Sequence, residues 1–589
     1  MEATTEKVWH QLPPVILPSP VFAVTAGRDG IWAGGAGGVA WFPTTGNGSQ
    51  TSETWQSRIS GLPLSSVTTL TYIDSDNLLL AGGVEGIARS RDGGRSWQLA
   101  NLEDGVAAVI AFAVSPHFAE DQTAIAATLA NGVLRTDDGG RTWKNVAFGL
   151  ESFEVTALLW DSGSSILAAT SDGLYRSPNT GRAWRRMHEE EGLGIDAMAY
   201  LPDGTILATL EEGGLLRSED GGKSWFTDDN ALQDTHTISL LVTPDKALLL
   251  GTVEQGLLRS TDDGISWQPV YNNIVLTLAA GNSAVYAGTT SGVSVSYDDG
   301  LTWHELPYPP VHDLRHLFIF DGRPLLTGSY TGITRYTPDG TWQVLQNVEQ
   351  PLTGTAIAPD GSLWLSSPEG LVRSTDGGQT QQSVIQGQAG QVAHMTFREE
   401  GTGWRGWAGS ADGTRLLRSD DSGMTWRPLR APFGILPLAA LQATADKLFA
   451  ATYDPRQYRI TIWFSHDDGK TWERGAEAET KWPIVATCKR PALVTTGDVM
   501  LLQRTSGQWS KITVGSDSGA IRRVVSAQYN GKTVLLVLTT TGIQRTEDEG
   551  ATWQHDDTGL PLEQIIDIAA TDTTLYILLA GGHVWQREL

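Results

Sequence analysis

Cysteine is almost missing from this chain of 589 residues: Cys488 stands alone. An intramolecular disulfide is therefore excluded, and a reducing compartment is compatible with the composition. Long apolar runs are missing too, so no segment reads as a membrane-spanning helix and no membrane insertion is expected. The first residues, MEATTEKVWHQLPP, have neither the basic nor the apolar region of a secretory signal, and the cytoplasm is the expected location. A Walker loop and a GxSxG nucleophile turn are absent, and the Gly-Gly turns do not precede helical patterns, which argues against nucleotide binding. Only His312 and His316 have metal-like spacing. They sit in a Pro-rich connector without a clear third ligand, so they read as a packed or solvated pair. No metal and no cofactor are expected.

Positive charge is in short supply. Lys and Arg number 42 against 67 Asp and Glu, a net of −25. The deficit is uneven: residues 1–303 hold 17 basic and 36 acidic residues, net −19, while 304–589 hold 25 and 31, net −6. A phosphate backbone would gain nothing from such a surface, so nucleic acid is not an expected partner. Solubility accounts for part of the excess; attraction of a cationic partner to the first half is the sharper reading.

Glycine and tryptophan, by contrast, are abundant, at 66 and 22 residues. They recur together. Ser90 to Trp97 reads S-x-D-x-G-x-S-W, and seven more segments satisfy [ST]-x-D-x-G-x-[ST]-W, ending at Trp143, Trp225, Trp267, Trp303, Trp426, Trp472 and Trp553. Two copies are altered: Asn179 and Ala183 replace the Asp and the Ser/Thr before Trp184, and Gln381 replaces a Trp. Trp55, Trp342 and Trp509 keep the interval without a full motif. Successive motifs end 36 to 46 residues apart, the length of one four-stranded propeller blade. Between them lie short β-rich runs separated by Gly, Asp and Pro turns, with no helical periodicity of note.

The expected fold is all-β: about fourteen four-stranded blades in two tandem seven-bladed β-propellers, residues 1–303 and 304–589. The last segment, 565–588, supplies only three strands, and the run from Lys7 to Leu12 resembles the strand that follows a motif. The termini are expected to meet in closing a ring, which removes an exposed edge. A strand exchange is also conceivable, in which the Trp9 strand closes the first ring and the strand after Trp303 crosses to the second.

In the repeated turn the Asp accepts hydrogen bonds from its own backbone, the hydroxyls cap neighbouring groups, and the Gly supplies a positive φ. Asp92, Asp138, Asp220, Asp262, Asp298, Asp421, Asp467 and Asp548 are therefore structural, and no catalytic residue is assigned.

These motifs resemble the BNR/Asp-box repeat superfamily over nearly the whole chain. That resemblance implies the propeller fold but not one chemistry. Sialidases of this group carry an early Phe/Tyr-Arg-Ile-Pro segment, where this chain has Pro18-Ser-Pro-Val-Phe22. Two-propeller xyloglucan hydrolases place an Asp between strands two and three of their first blade; here that loop is Ala33 to Gly38, with Ala36 at the position. The comparable loop of blade eight, Ser329-Tyr-Thr-Gly332, has no acid either. Photosystem assembly factors resemble the individual blades but bear a basic patch, unlike the acidic first half here.

The expected function is thus a non-catalytic protein-interaction or assembly scaffold; the alternative is a glycoside hydrolase acting in a cleft between propellers. Candidate binding residues fall in two groups. Acidic loops of the first ring (Glu189, Glu190, Glu191, Glu211, Glu212, Asp228 and Asp229, with Glu103, Glu151, Glu154 and Glu254) suit a protein partner with a basic segment. Two insertions of the second ring bring Trp404 and Trp407, and Arg456 and Tyr458, which suit a protein interface or carbohydrate stacking; the alternative is that part of each insertion lengthens strands, with Trp407 in the core.

Overall fold

The computed structural model describes residues 8–44, 54–64, 66–103, 108–187, 194–211, 213–233, 235–328, 332–346, 352–431, 433–434, 436–454, 457, 459–479, 487–488, 493–496, 499–503, 509–515, 521–529, 532–539, 541–561 and 565–589. Among these, fourteen sheets of four strands each follow one another as simple meanders, one of them with a short fifth strand. Blade two shows why the sequence folds this way. Its second strand, Leu78–Gly83, is buried at every position. Neighbouring blades cover both of its faces, so it reads as an unbroken apolar run. The innermost strand, Thr69–Ile73, is only half-buried, and the outermost, Gln98–Leu99, is exposed.

Contacts divide the chain into two units: Ile16–Asp313, and Leu314–Leu589 together with the N-terminal residues up to Val15. Each is a ring of seven blades. In the first, Val21–Ala26 of blade one packs against Val275–Ala280 of blade seven. In the second, Leu314–Phe320 packs against Ile565–Ala570.

The boundary lies at 313 rather than 303. His304–Glu305 is the fourth strand of blade seven and pairs with Val293–Ser296, because the strand that leaves a box turn pairs with the strand that entered it. The exchange through Trp303 therefore does not occur. His10–Gln11 instead pairs antiparallel with Val584–Glu588, His10 opposite Gln586 and Gln11 opposite Trp585. Trp9 is 7% exposed and joins a core with Val534, Leu575 and Ile577. The first described strand thus completes the last blade.

The box turns are hydrogen-bonded alike. Asp92 Oδ1 accepts from the Ser90 hydroxyl at 2.7 Å and the Ser96 N–H at 2.9 Å, and Oδ2 accepts from the Ser96 hydroxyl at 2.6 Å. Gly94, at φ +86°, donates its N–H to Ser90 Oγ at 2.9 Å. Trp97 is buried and donates to the Arg58 carbonyl at 2.7 Å, whereas Trp143, Trp225, Trp267, Trp303 and Trp472 donate to the carbonyl of their own box glycine. In the altered turn Asn179 Oδ1 keeps the Ser177 hydroxyl at 2.8 Å and the Ala183 N–H at 3.1 Å; the hydroxyl donor at position 183 is gone, and Trp184 is still buried.

Candidate functional site

The innermost strands of each ring start on one face, which also carries the turns between strands two and three; the box turns lie on the other. On the first face of ring one, Glu211 is exposed in the turn after Ile206–Leu210. Glu254 occupies the same turn of the next blade, with one oxygen 2.5 Å from His236 Nδ1. Between them Asp196 stands at a β-bulge, where the register of the innermost strand shifts between Ile195 and Ala197, and accepts a hydrogen bond from the Thr237 hydroxyl at 3.0 Å. Burial raises the Asp196 carboxyl above its ordinary value, with the Thr237 hydrogen bond and His236 opposing and Glu211 reinforcing. Sequence reasoning missed Asp196, since a bulge residue looks like any strand residue.

Other expected residues fall elsewhere. Glu103 pairs with Lys144 at 3.3 Å and Glu151 with Arg186 at 3.1 Å. Asp228 and Asp229 belong to the outer strand Phe226–Gln233, not to a loop. Glu189, Glu190, Glu191, Glu212, Arg456, Tyr458, Ser329 and Tyr330 lie outside the described residues.

Trp404 and Trp407 require correction as binding residues. They are 3% and 0% exposed. The insertion lengthens a hairpin, His394–Glu400 with Gly403–Gly409, instead of forming a loop. Trp404 meets Phe397 edge-on at 4.8 Å, and the Trp407 indole donates to the Asp468 carbonyl at 3.1 Å. Both rings are spent on the core, so neither offers a sugar-stacking face.

The loop from Ala33 to Gly38 is closed. Ala36 is 8% exposed, Gly37 donates its N–H to the Val311 carbonyl at 2.9 Å, and a Cβ on Gly37 would sit 1.9 Å from the His312 carbonyl oxygen. His312 is itself buried, its Nδ1 2.9 Å from Ser19 Oγ. The connector after blade seven thus caps the turn where the hydrolases carry an acid. Among the described residues no three His, Cys, Asp or Glu side chains gather as metal ligands.

Around its axis ring two holds an open cavity of about 360 Å³, on the face where the innermost strands start. Its wall draws on five blades and includes Arg315, His316, Thr353, His394, Gln442, Arg522 and Arg523. Arg315 and Arg522 occupy β-bulges, where register shifts between Leu314 and His316 and between Ile521 and Arg523 turn the extra residue out of the ladder. His316 is exposed to the cavity, and desolvation by the surrounding wall holds it below its ordinary value, with Asp567 opposing and Arg523 and Arg315 reinforcing. Burial also lowers His394, whose Nε2 lies 2.8 Å from the Leu438 carbonyl. Both imidazoles are therefore neutral near pH 7.

No protein-family model matches the chain, and no curated protein matches it in sequence. Solved structures match its fold. A GH74 enzyme of Niastella koreensis aligns over 99% of both chains at 14% identity, with a TM-score of 0.61. PorZ, a surface component of the type-IX secretion system of Porphyromonas gingivalis, aligns over 99% of this chain and 87% of its own at 14% identity and a TM-score of 0.50. At such identity the likeness is one of fold. With the blade topology, it makes the chain a tandem β-propeller, whose box turns resemble those of BNR/Asp-box repeats.

Proposed function

We propose that the chain is a non-catalytic interaction scaffold whose first ring engages a basic protein segment. The observation that carries this reading is the grouping of Asp196, Glu211 and Glu254 on one face, in a half of the chain where 36 acidic residues stand against 17 basic ones. Such a rim steers a cationic partner and speeds its association. The capped turn at Ala36 and the box carboxylates, each held within its own turn, support binding rather than hydrolysis. A cytoplasmic setting belongs to the same proposal.

The test combines capture and kinetics. Partners drawn from the native cell by the full chain are identified by mass spectrometry. Association of basic peptides from those partners is then timed for the wild type and for Glu211→Lys with Glu254→Lys. The expected result is slower association for the variant at low salt and a smaller difference at high salt. Equal rates at low salt sink the proposal.

A further inference from the structure

The cavity of ring two has a charge of the opposite sign to its surroundings. The chain carries −25, and residues 304–589 carry −6, yet the cavity wall holds three arginines and neither an Asp nor a Glu. One carboxylate stands behind it: Asp567 is 3.3 Å from Arg523 Nε and accepts the Leu317 N–H at 2.9 Å. It pairs with the Arg523 guanidinium. Arg315 has no ion pair with a described carboxylate. Arg315 is exposed and Arg523 partly so, so solvent screens the like charges in part, and an anion among them would relieve the repulsion that remains.

A second observation points the same way. Thr327 lines the same cavity, is 1% exposed, and its hydroxyl has no hydrogen-bond partner among the described residues. An unmet buried hydroxyl is costly, and a ligand oxygen would meet it. Thr355, His394 and Gln442 add further polar groups, and Phe318, Leu352 and Met395 form the apolar part of the wall. A few hundred cubic ångströms with convergent polar groups is the size of a small-molecule site.

We infer that the axial cavity of the second ring binds a small organic anion, its carboxylate or phosphate group held by Arg315 and Arg522 and its apolar part resting on Phe318 and Met395. The guanidinium fork matches either oxyanion with two parallel hydrogen bonds. Both arginines come from bulges on separate blades, so the ring itself sets their spacing. This site is independent of the acidic face of ring one, and either can fail without the other.

Calorimetric titration of the full chain at low salt tests the inference with three probes: citrate, glucose 6-phosphate and neutral glucose. Citrate binding marks a carboxylate site and glucose 6-phosphate binding a phosphate site; the expected result is one-to-one binding of at least one of them with Kd below about 1 mM, and none of glucose. Arg522→Gln and Arg315→Gln each weaken it by about tenfold or more, Arg522→Lys restores part of the loss, and Arg185→Gln, on an outer strand of ring one, leaves it unchanged. Thermal unfolding of each variant without ligand confirms that the ring is intact. If an arginine variant does not fold, competition of chloride against the bound probe in the wild type gives the same reading, since an oxyanion clamp loses affinity with salt. The inference is overturned if neither anion binds saturably, if glucose binds as well as the anions, or if folded Arg522→Gln binds like the wild type.

Discussion

The guanidinium of Arg587 lies 4.6 Å from the centroid of the Trp9 ring, so the last strand of the second unit and the first described strand hold each other. Trp342 adds a second tie by donating its indole N–H to the Pro13 carbonyl at 2.7 Å. Trp9 is buried against the core of blade fourteen, and Trp9→Ala removes that burial and opens a sheet edge. The expected cost is about 3–5 kcal/mol, confined to the second unit. Urea denaturation followed by hydrogen exchange checks it: amides of Thr574–Leu579 lose protection while those of Ile166–Thr170 in the first ring keep theirs. Equal loss in both units would contradict the closure.

The box carboxylates carry an acid-sensitive part of the stability. Asp262 is held at about 2, below its ordinary 3.8, by hydrogen bonds from the Ser266 and Ser260 hydroxyls and the Ser266 N–H. Asp548 is likewise held at about 2 by the Thr552 hydroxyl, the Thr552 N–H and the Thr546 hydroxyl. Folded values below the unfolded one mean stability that is present above 3.8 and is lost as pH falls through the folded value. Unfolding on acidification is therefore expected to steepen between about pH 4 and pH 2. Asp262→Asn should flatten the curve while keeping the turn, as Asn179 keeps its turn, whereas Asp262→Ala should destabilise at every pH. Circular dichroism against pH for the three proteins separates these outcomes.

The box turn was legible because a local hydrogen-bonding pattern demands the same residue types at fixed offsets, as in Ser90, Asp92, Gly94 and Trp97. Blade number followed from its period. The cavity arginines were not legible: Arg315 and Arg522 reach the axis through one-residue register shifts, which depend on pairing with the next strand. Trp404 misled for a related reason. The Glu-Glu-Gly-Thr-Gly run does mark a turn, but the strands flanking it are seven residues long, so the aromatic residues after the turn are strand residues facing the core. The cap on Ala36 came from Val311 and His312, far along the chain, and nothing local to the loop announces it.

Ala36→Asp tests whether that loop accepts the hydrolase chemistry. The position is 8% exposed, beneath a connector fixed by the Gly37–Val311 hydrogen bond. A carboxylate placed there is desolvated without a partner, at a cost of about 1–3 kcal/mol or more. The variant is expected to show a lower unfolding midpoint and no release of reducing sugar from β-glucan polysaccharides. A stable variant with new hydrolytic activity would show that the turn is open and that the two-propeller hydrolase reading deserves priority.

His236 makes the acidic face sensitive to pH. The hydrogen bond and charge of Glu254 raise the His236 imidazole above 6.5, against the small opposing effect of burial, and His236 in turn lowers Glu254. A raised His value means that the pair stabilises the fold fully below 6.5 and ceases to do so as pH rises through the folded value. Binding runs the other way. Protonated His236 cancels one carboxylate beside Asp196 and Glu211, so the face becomes more negative when it titrates. Association of an oligolysine peptide, whose own charge is constant over this range, is expected to quicken from about pH 6 to pH 8 at low salt. In His236→Gln the rate should be fast and flat over the same range. Stopped-flow fluorescence with a labelled peptide measures both, and a wild-type rate that is flat or falls with pH would remove this face as the docking site.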